Sequence, residues 1–205
     1  ILEENPGAQL IPRIDLRVPP EWWRKRYPGD MMKFTSGGNG DYPSISSLRY
    51  RKIAAETLRG AIRYCEKNFP GSMAGYHPSG GNTHEWFYYR SQRRILSGYD
   101  DATRQAWRKY LRDKYKTAEA MQQAWRQADV SPESADIPAP EYRQQERPNS
   151  LLSPRTDAQL IDFHRFLQKE MADTVLAMAQ AVREETGRRR LSILFYGYLS
   201  EFSAI

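Results

Sequence analysis

The sequence predicts an α/β fold, a partial (β/α)8 barrel segment with a helical insertion, and three observations predict it. Three short apolar stretches read as strands, amphipathic segments separate them, and a glycine-rich, aromatic stretch closes the second strand at Glu85. Strands alternating with helices build parallel units whose crossovers are nearly always right-handed. A full eightfold barrel takes roughly 250 residues and eight strands. Three strands in 205 residues therefore describe part of one, and a small three-stranded domain is the structural alternative.

Residues 10–18 form the first expected strand, with Ile14, Leu16 and Val18 on one face and Arg13, Asp15 and Arg17 on the other. If helices cover the apolar face, the charged face must point into something polar, such as a barrel mouth; an exposed edge strand is the plainer alternative. Residues 19–50 read as a long loop rich in Gly, Pro and Ser, with Trp22 and Trp23 near its start. Apolar residues at three-and-four spacing (Ala54, Leu58, Ala61, Ile62, Cys65) predict a helix over 47–68, stopped by Phe69-Pro70-Gly71. The second strand, 73–79, lacks β-branched residues and is supported by its place after a helix. Two small helices follow at 101–115 and 117–127, then an irregular, proline-rich surface connection over 131–154. The helices and this connection make up the insertion, at about 90–155 of a single 1–205 unit. A long amphipathic helix spans 157–186, with Leu160, Phe163, Leu167, Met171, Val175, Met178 and Val182 as its buried stripe and Gly187 as its stop. Residues 191–198 form the third strand, apolar on both faces.

Composition narrows the function classes. A chain that is 40% hydrophobic and 12% aromatic has the material for one sizeable core. Its apolar runs fall far short of the ~20 residues that span a bilayer, so no membrane partner is expected. The net charge of +6 raises the question of nucleic acid. The basic residues are interleaved with Trp107, Tyr110, Leu111 and Tyr115 along 104–116, the pattern of an amphipathic helix with a solvated face, and no nucleic-acid partner is expected. The single Cys65 sits on a helical apolar stripe and reads as a packing residue. Three scattered histidines give no metal-ligand spacing, and Gly37-Gly38-Asn39-Gly40 lacks the Lys-Ser or Lys-Thr of a phosphate loop, so neither metal nor cofactor is implied. The chain opens on Ile1 rather than Met and reads as a piece of a longer one.

The chemistry concentrates around Glu85. The strand supplies a rigid base, Gly80 and Gly81 permit backbone conformations closed to other residues, and a carboxylate arrives at the mouth with Trp86 to Tyr89 behind it. Such a group suits the proton donor of glycoside hydrolysis, which usually takes two carboxyls, an acid and either a nucleophile or a base. Candidate sugar contacts are Asp15, Arg17, His77, Asn82, Trp86 and Tyr198, with Trp22 and Trp23 as an apolar platform or as core anchors. Asp15 and Arg17 have the alternative reading of pairing simply with each other's neighbours.

Several stretches together, Arg13 to Trp23 with its Pro-Pro-Glu-Trp-Trp, Tyr42-Pro-Ser-Ile-Ser-Ser, Gly75-Tyr-His with Gly-Gly-Asn-Thr-His-Glu-Trp, and Phe195-Tyr-Gly-Tyr, resemble β-galactosidase-like enzymes of glycoside hydrolase family 42. The resemblance covers nearly the whole chain. It implies barrel strands three, four and five, a carbohydrate substrate, retaining hydrolysis, and Glu85 as the general acid/base at the end of strand four. In the clan an Asn directly precedes the acid/base, whereas here His84 stands in that place and Asn82 lies three positions before Glu85. The family's nucleophile follows strand seven, so the resemblance implies that it comes from the remainder of the barrel and that the 205 residues alone are inactive. Glu201 follows the wrong strand and reads as a solvated or loop-anchoring residue. The alternative function is a noncatalytic carbohydrate-binding or scaffold module.

Overall fold

The computed structural model describes residues 1–17, 21–35, 38–81, 84–91, 95–146 and 151–196. Its centre is a three-stranded parallel sheet of order β1-β4-β5, with β1 at Arg13–Asp15, β4 at Gly75–Ser79 and β5 at Leu191–Ser192. All three expected strands are present, each shorter than its apolar pattern. Single bridges extend the pairing at Leu10 to Met73 and at Trp86 to Tyr196. The register sets Arg13 opposite His77 and Asp15 opposite Ser79. Gly75 lies opposite Leu191, where a Cβ would come within 2.7 Å of the Leu191 carbonyl oxygen.

Two helices cover one face of this sheet. Helix α2, Leu48–Asn68, starts where the Ser47 hydroxyl accepts the Tyr50 N–H at 3.0 Å and carries its buried stripe at Ala54, Ala55, Leu58 and Ile62. Helix α6, Ala158–Glu185, lies against it with Met171, Val175, Met178, Ala181 and Val182 buried in the same core. Leu16 and Tyr76 from the sheet enter this core, and Ile14 packs on it. Ion pairs stitch the helix seam: Arg51 to Glu170 at 3.2 Å, Arg59 to Glu184 at 2.7 Å and Arg63 to Glu185 at 3.0 Å.

The expected loop over 19–50 is instead built from ordered pieces. It contains helix α1 (Glu21–Arg26), a 3-10 turn (Pro28–Asp30) and an antiparallel hairpin of β2 (Met31–Lys33) with β3 (Asn39–Pro43). Apolar anchors explain the order: Trp23, Met31, Met32, Phe34 and Ile45 are all buried in the main core. Gly40, which reads as a loop residue, admits the Phe34 ring, since a Cβ there would lie 2.8 Å from it.

The inserted region makes a second core. Helices α3 (Asp101–Tyr115) and α4 (Ala118–Trp125) begin at the side-chain caps of Asp100 and Thr117 and pack Trp107, Leu111, Met121 and Trp125 against Phe163, Phe166 and Leu167 of α6. The proline-rich connection includes the short helix α5 (Pro140–Arg143) and is not simply a surface loop. Ala135 and Ile137 are buried in the second core, and buried Arg143 donates to the Ser97 carbonyl at 2.9 Å. Among the described residues no helix is long and apolar enough to cross a membrane.

Candidate active site

Alternation along the strands sorts the sheet into two unlike faces. Ile14, Leu16 and Tyr76 turn to the helices, and the Tyr76 hydroxyl donates to Glu66 of α2 at 2.9 Å. Arg13, Asp15 and His77 take the opposite face, which the described residues leave open over β1. This is the polar face that the charge alternation of residues 13–17 requires.

Beyond Ser79 the chain folds back on itself, and both glycines are needed for the fold. A Cβ on Gly80 would lie 2.4 Å from the Trp86 ring; one on Gly81, whose φ is +63°, would lie 1.9 Å from the Glu85 carbonyl oxygen. Trp86 closes the turn by donating its indole N–H to the Pro78 carbonyl at 3.0 Å and its backbone N–H to the Phe195 carbonyl at 2.9 Å. Half-buried Glu85 is thereby carried at the exit of the middle strand, between β1 and the chain that follows β5.

Around it stand three groups. His77, only 7% exposed, meets the Phe195 ring edge-on at 4.6 Å. Burial, then the Arg13 guanidinium, push its pKa below the ordinary histidine value, while the Glu85 carboxylate works against them. Asp15 is gripped by Arg17 through Nε at 2.9 Å, Nη2 at 2.8 Å and the backbone N–H at 3.0 Å. Burial alone would raise the Asp15 carboxyl; the Arg17 bonds and charge outweigh it and hold it below the usual carboxylate range. The third group is His84, at a left-handed φ of +68°, whose carbonyl accepts from Arg13 Nη2 at 3.1 Å and whose Nδ1 lies 3.5 Å from Asp15 Oδ2.

The structure thus brings Asp15, Arg17, His77 and Glu85 to one region. It does not bring all the aromatic candidates there. Trp23 and Trp86 are each 1% exposed and belong to the main core, so neither has a free ring face to offer a sugar. Their apolar area is too large to leave in water when a core lies beneath. Trp22 is exposed, with ring contacts to Trp23 at 6.0 Å and Tyr27 at 6.5 Å. Asn82 and Tyr198 lie outside the described residues. Arg13, His84 and Phe195 lie in the same region although sequence reasoning did not select them. Arg13 shares the alternating charged face with Asp15 and was within reach; Phe195 becomes visible only through the β4–β5 register. Among the described residues no cluster of three or more His, Cys, Asp or Glu side chains is arranged to hold a metal.

Comparisons with known proteins agree with this architecture. A search of curated proteins returns no match. Among solved structures, a β-galactosidase from Marinomonas ef1 superposes with a TM-score of 0.71 at 20% identity, over 97% of this chain and 29% of that one. A β-galactosidase from Rahnella sp. R3 gives 0.64 at 18% identity, over 93% and 26%. The catalytic domain of a β-amylase from Paenibacillus polymyxa gives 0.68 at 17% identity, over 90% and 50%. At these identities the likeness is one of fold, and the chain spans a half or less of each of these structures. The family model of glycoside hydrolase family 42, described as β-galactosidase, matches residues 17–203, and the chain belongs to that family.

Proposed function

We propose that this chain is the acid/base-bearing segment of a retaining β-galactosidase-like glycosidase. One observation carries the reading: Glu85 leaves the middle strand on the open polar side of the sheet, within electrostatic reach of His77. In the first step the Glu85 carboxylic acid protonates the glycosidic oxygen as the bond to the anomeric carbon breaks. A carboxylate nucleophile forms the glycosyl-enzyme intermediate from the opposite face, and in the second step Glu85, now a carboxylate, takes a proton from the attacking water. The nucleophile comes from the remainder of the barrel, outside these residues, at the ~5–5.5 Å carboxyl separation of retaining enzymes.

Asp15, Arg17 and His77 are suited to hold sugar hydroxyls, and Trp22 offers an apolar face; Asn82 and Tyr198 are assigned the same role by family resemblance. The pairing of Asp15 with Arg17 presents both an acceptor and a donor edge, a common arrangement where a ligand hydroxyl both gives and receives hydrogen bonds. Replacing Glu85 by Gln in the complete protein tests the reading. Hydrolysis of a galactoside with a poor leaving group should slow by about 10²–10⁴-fold. Turnover close to that of the unaltered protein would reject the acid and leave carbohydrate binding without cleavage as the better account.

A further inference from the structure

Glu85 is held from both sides by groups that belong to other strands. On the β5 side, the N–H of Trp86 is bound to the Phe195 carbonyl. On the β1 side, the residue before the acid is bound through its carbonyl and approached at its imidazole. Arg13, at the start of β1, donates to the His84 carbonyl at 3.1 Å, and Asp15, at its end, lies 3.5 Å from the buried Nδ1 of the same residue. His84 adopts a left-handed φ of +68°, uncommon for a residue with a side chain though less so for histidine. Backbone of this kind persists where its surroundings over-determine it, and the Arg13 and Asp15 contacts supply that constraint.

We infer that His84 is a positioning residue for Glu85, with Arg13 fixing its backbone and Asp15 its imidazole; the inference rests on the acid/base reading of Glu85 given above. The imidazole also divides the labour of Asp15. Arg17 occupies both carboxylate oxygens in a bidentate grip, which holds the carboxylate still, and His84 approaches Oδ2 from the acid's side. At 3.5 Å the contact is long for a hydrogen bond, and catalytic contacts of this kind tighten when substrate fills a site. A shift of the turn at His84 moves the Glu85 carboxyl with it, since the two are adjacent and Glu85 has its own carbonyl turned back to the Phe87 N–H at 3.0 Å.

The test uses the complete protein with two aryl galactosides, one with a poor and one with a good leaving group. Only the first needs a well-placed proton donor in the glycosylation step. His84→Ala should lower kcat/KM, which reports the glycosylation step, by about 10²-fold for the poor leaving group and leave it nearly unchanged for the good one. His84→Asn tolerates the left-handed turn and offers an amide N–H to Asp15, so it should recover most of the loss. His84→Gly takes the turn freely but leaves Asp15 without its neighbour and should remain as slow as the Ala variant. Equal losses for both leaving groups, no loss at all, or full recovery in His84→Gly would overturn the role of the imidazole. Slow Glu85→Gln beside normal His84→Ala overturns positioning alone, whereas normal Glu85→Gln removes the acid assignment and this inference with it.

Discussion

At His77 three influences compete, and their balance reports on Glu85 without any assay of turnover. Burial and the Arg13 charge favour the neutral imidazole; the Glu85 carboxylate favours the charged one. The imidazole should therefore titrate below the ~6.5 of a free histidine, and Glu85→Gln should lower it further by removing the opposing negative charge. Proton NMR of the ring through a pH series checks both, and an upward shift in the variant would contradict the placement of Glu85 beside His77. The sign for stability follows from the same direction. With the folded pKa below the unfolded one, neutral His77 contributes stability above ~6.5, and that contribution is lost as the pH falls through the interval below it. At this scale the site was partly legible: alternation put Asp15 and Arg17 on a charged face, and the two glycines marked the Glu85 turn. The core anchoring of Trp23 was one of two readings left open, and what escaped was the burial of Trp86. A tryptophan beside a loop looks the same in sequence whether its ring covers a glycine inside, as Trp86 covers Gly80, or lies open to solvent.

A buried carboxylate joins the insertion to α6 beside their shared apolar core. Asp162 of α6, only 2% exposed, accepts from Lys114 and the Tyr115 hydroxyl of α3 and from the Trp125 indole of α4 at 3.0 Å. Removing it leaves the Trp125 and Tyr115 donors without their acceptor, while Lys114, about a third exposed, can turn to solvent. Asp162→Ala should therefore cost about 1–3 kcal/mol, read as a lower denaturation midpoint, with faster amide exchange concentrated in α3 and α4. Exchange rising equally in α2 would show that the two cores do not separate. Arg104, Lys109 and Lys114 of α3 are likewise paired within the fold, with Asp136, Asp113 and Asp162. In a cleft of about 750 Å3 between α2, α3 and α6, Arg49 pairs with Asp30, Arg51 with Glu170, Lys109 with Asp113 and Lys169 with Asp173. The helices were legible because their signals are local. The helix starts expected at 47, 101 and 117 fall at or beside the caps Ser47, Asp100 and Thr117, and the apolar stripe of α6 is the one that its spacing marks. The β2–β3 hairpin was not, because its two strands are short, irregular in register and flanked by Gly and Pro, and only tertiary burial of Met31, Met32 and Phe34 distinguishes them from loop.

On the scale of the whole chain, the central sheet has one paired neighbour for β1 and one for β5 among the described residues, and beside β5 the exposed residues include Leu191, Phe195 and Tyr196. Edges of this kind ordinarily meet another strand or a cover, and the solved relatives are two to four times longer than the part that matches. The same geometry bears on chemistry. Retaining hydrolysis asks for a second carboxylate whose lone pairs are free to attack, and among the described residues the carboxylate that shares the polar face with Glu85 is Asp15. Arg17 binds both Asp15 oxygens and its backbone N–H binds Oδ1, a grip that holds the group ionised but leaves it poorly placed to leave its partner for an anomeric carbon. The purified 205-residue segment should accordingly show no hydrolysis of an aryl galactoside above the solvent rate under conditions where the complete protein turns over. Measurable turnover by the segment, abolished in Asp15→Asn but not by dilution of a trace contaminant, would make Asp15 the nucleophile and remove the need for the rest of the barrel. Inactivity of the segment, together with loss of activity in the complete protein on Glu85→Gln, would place the acid here and its partner elsewhere.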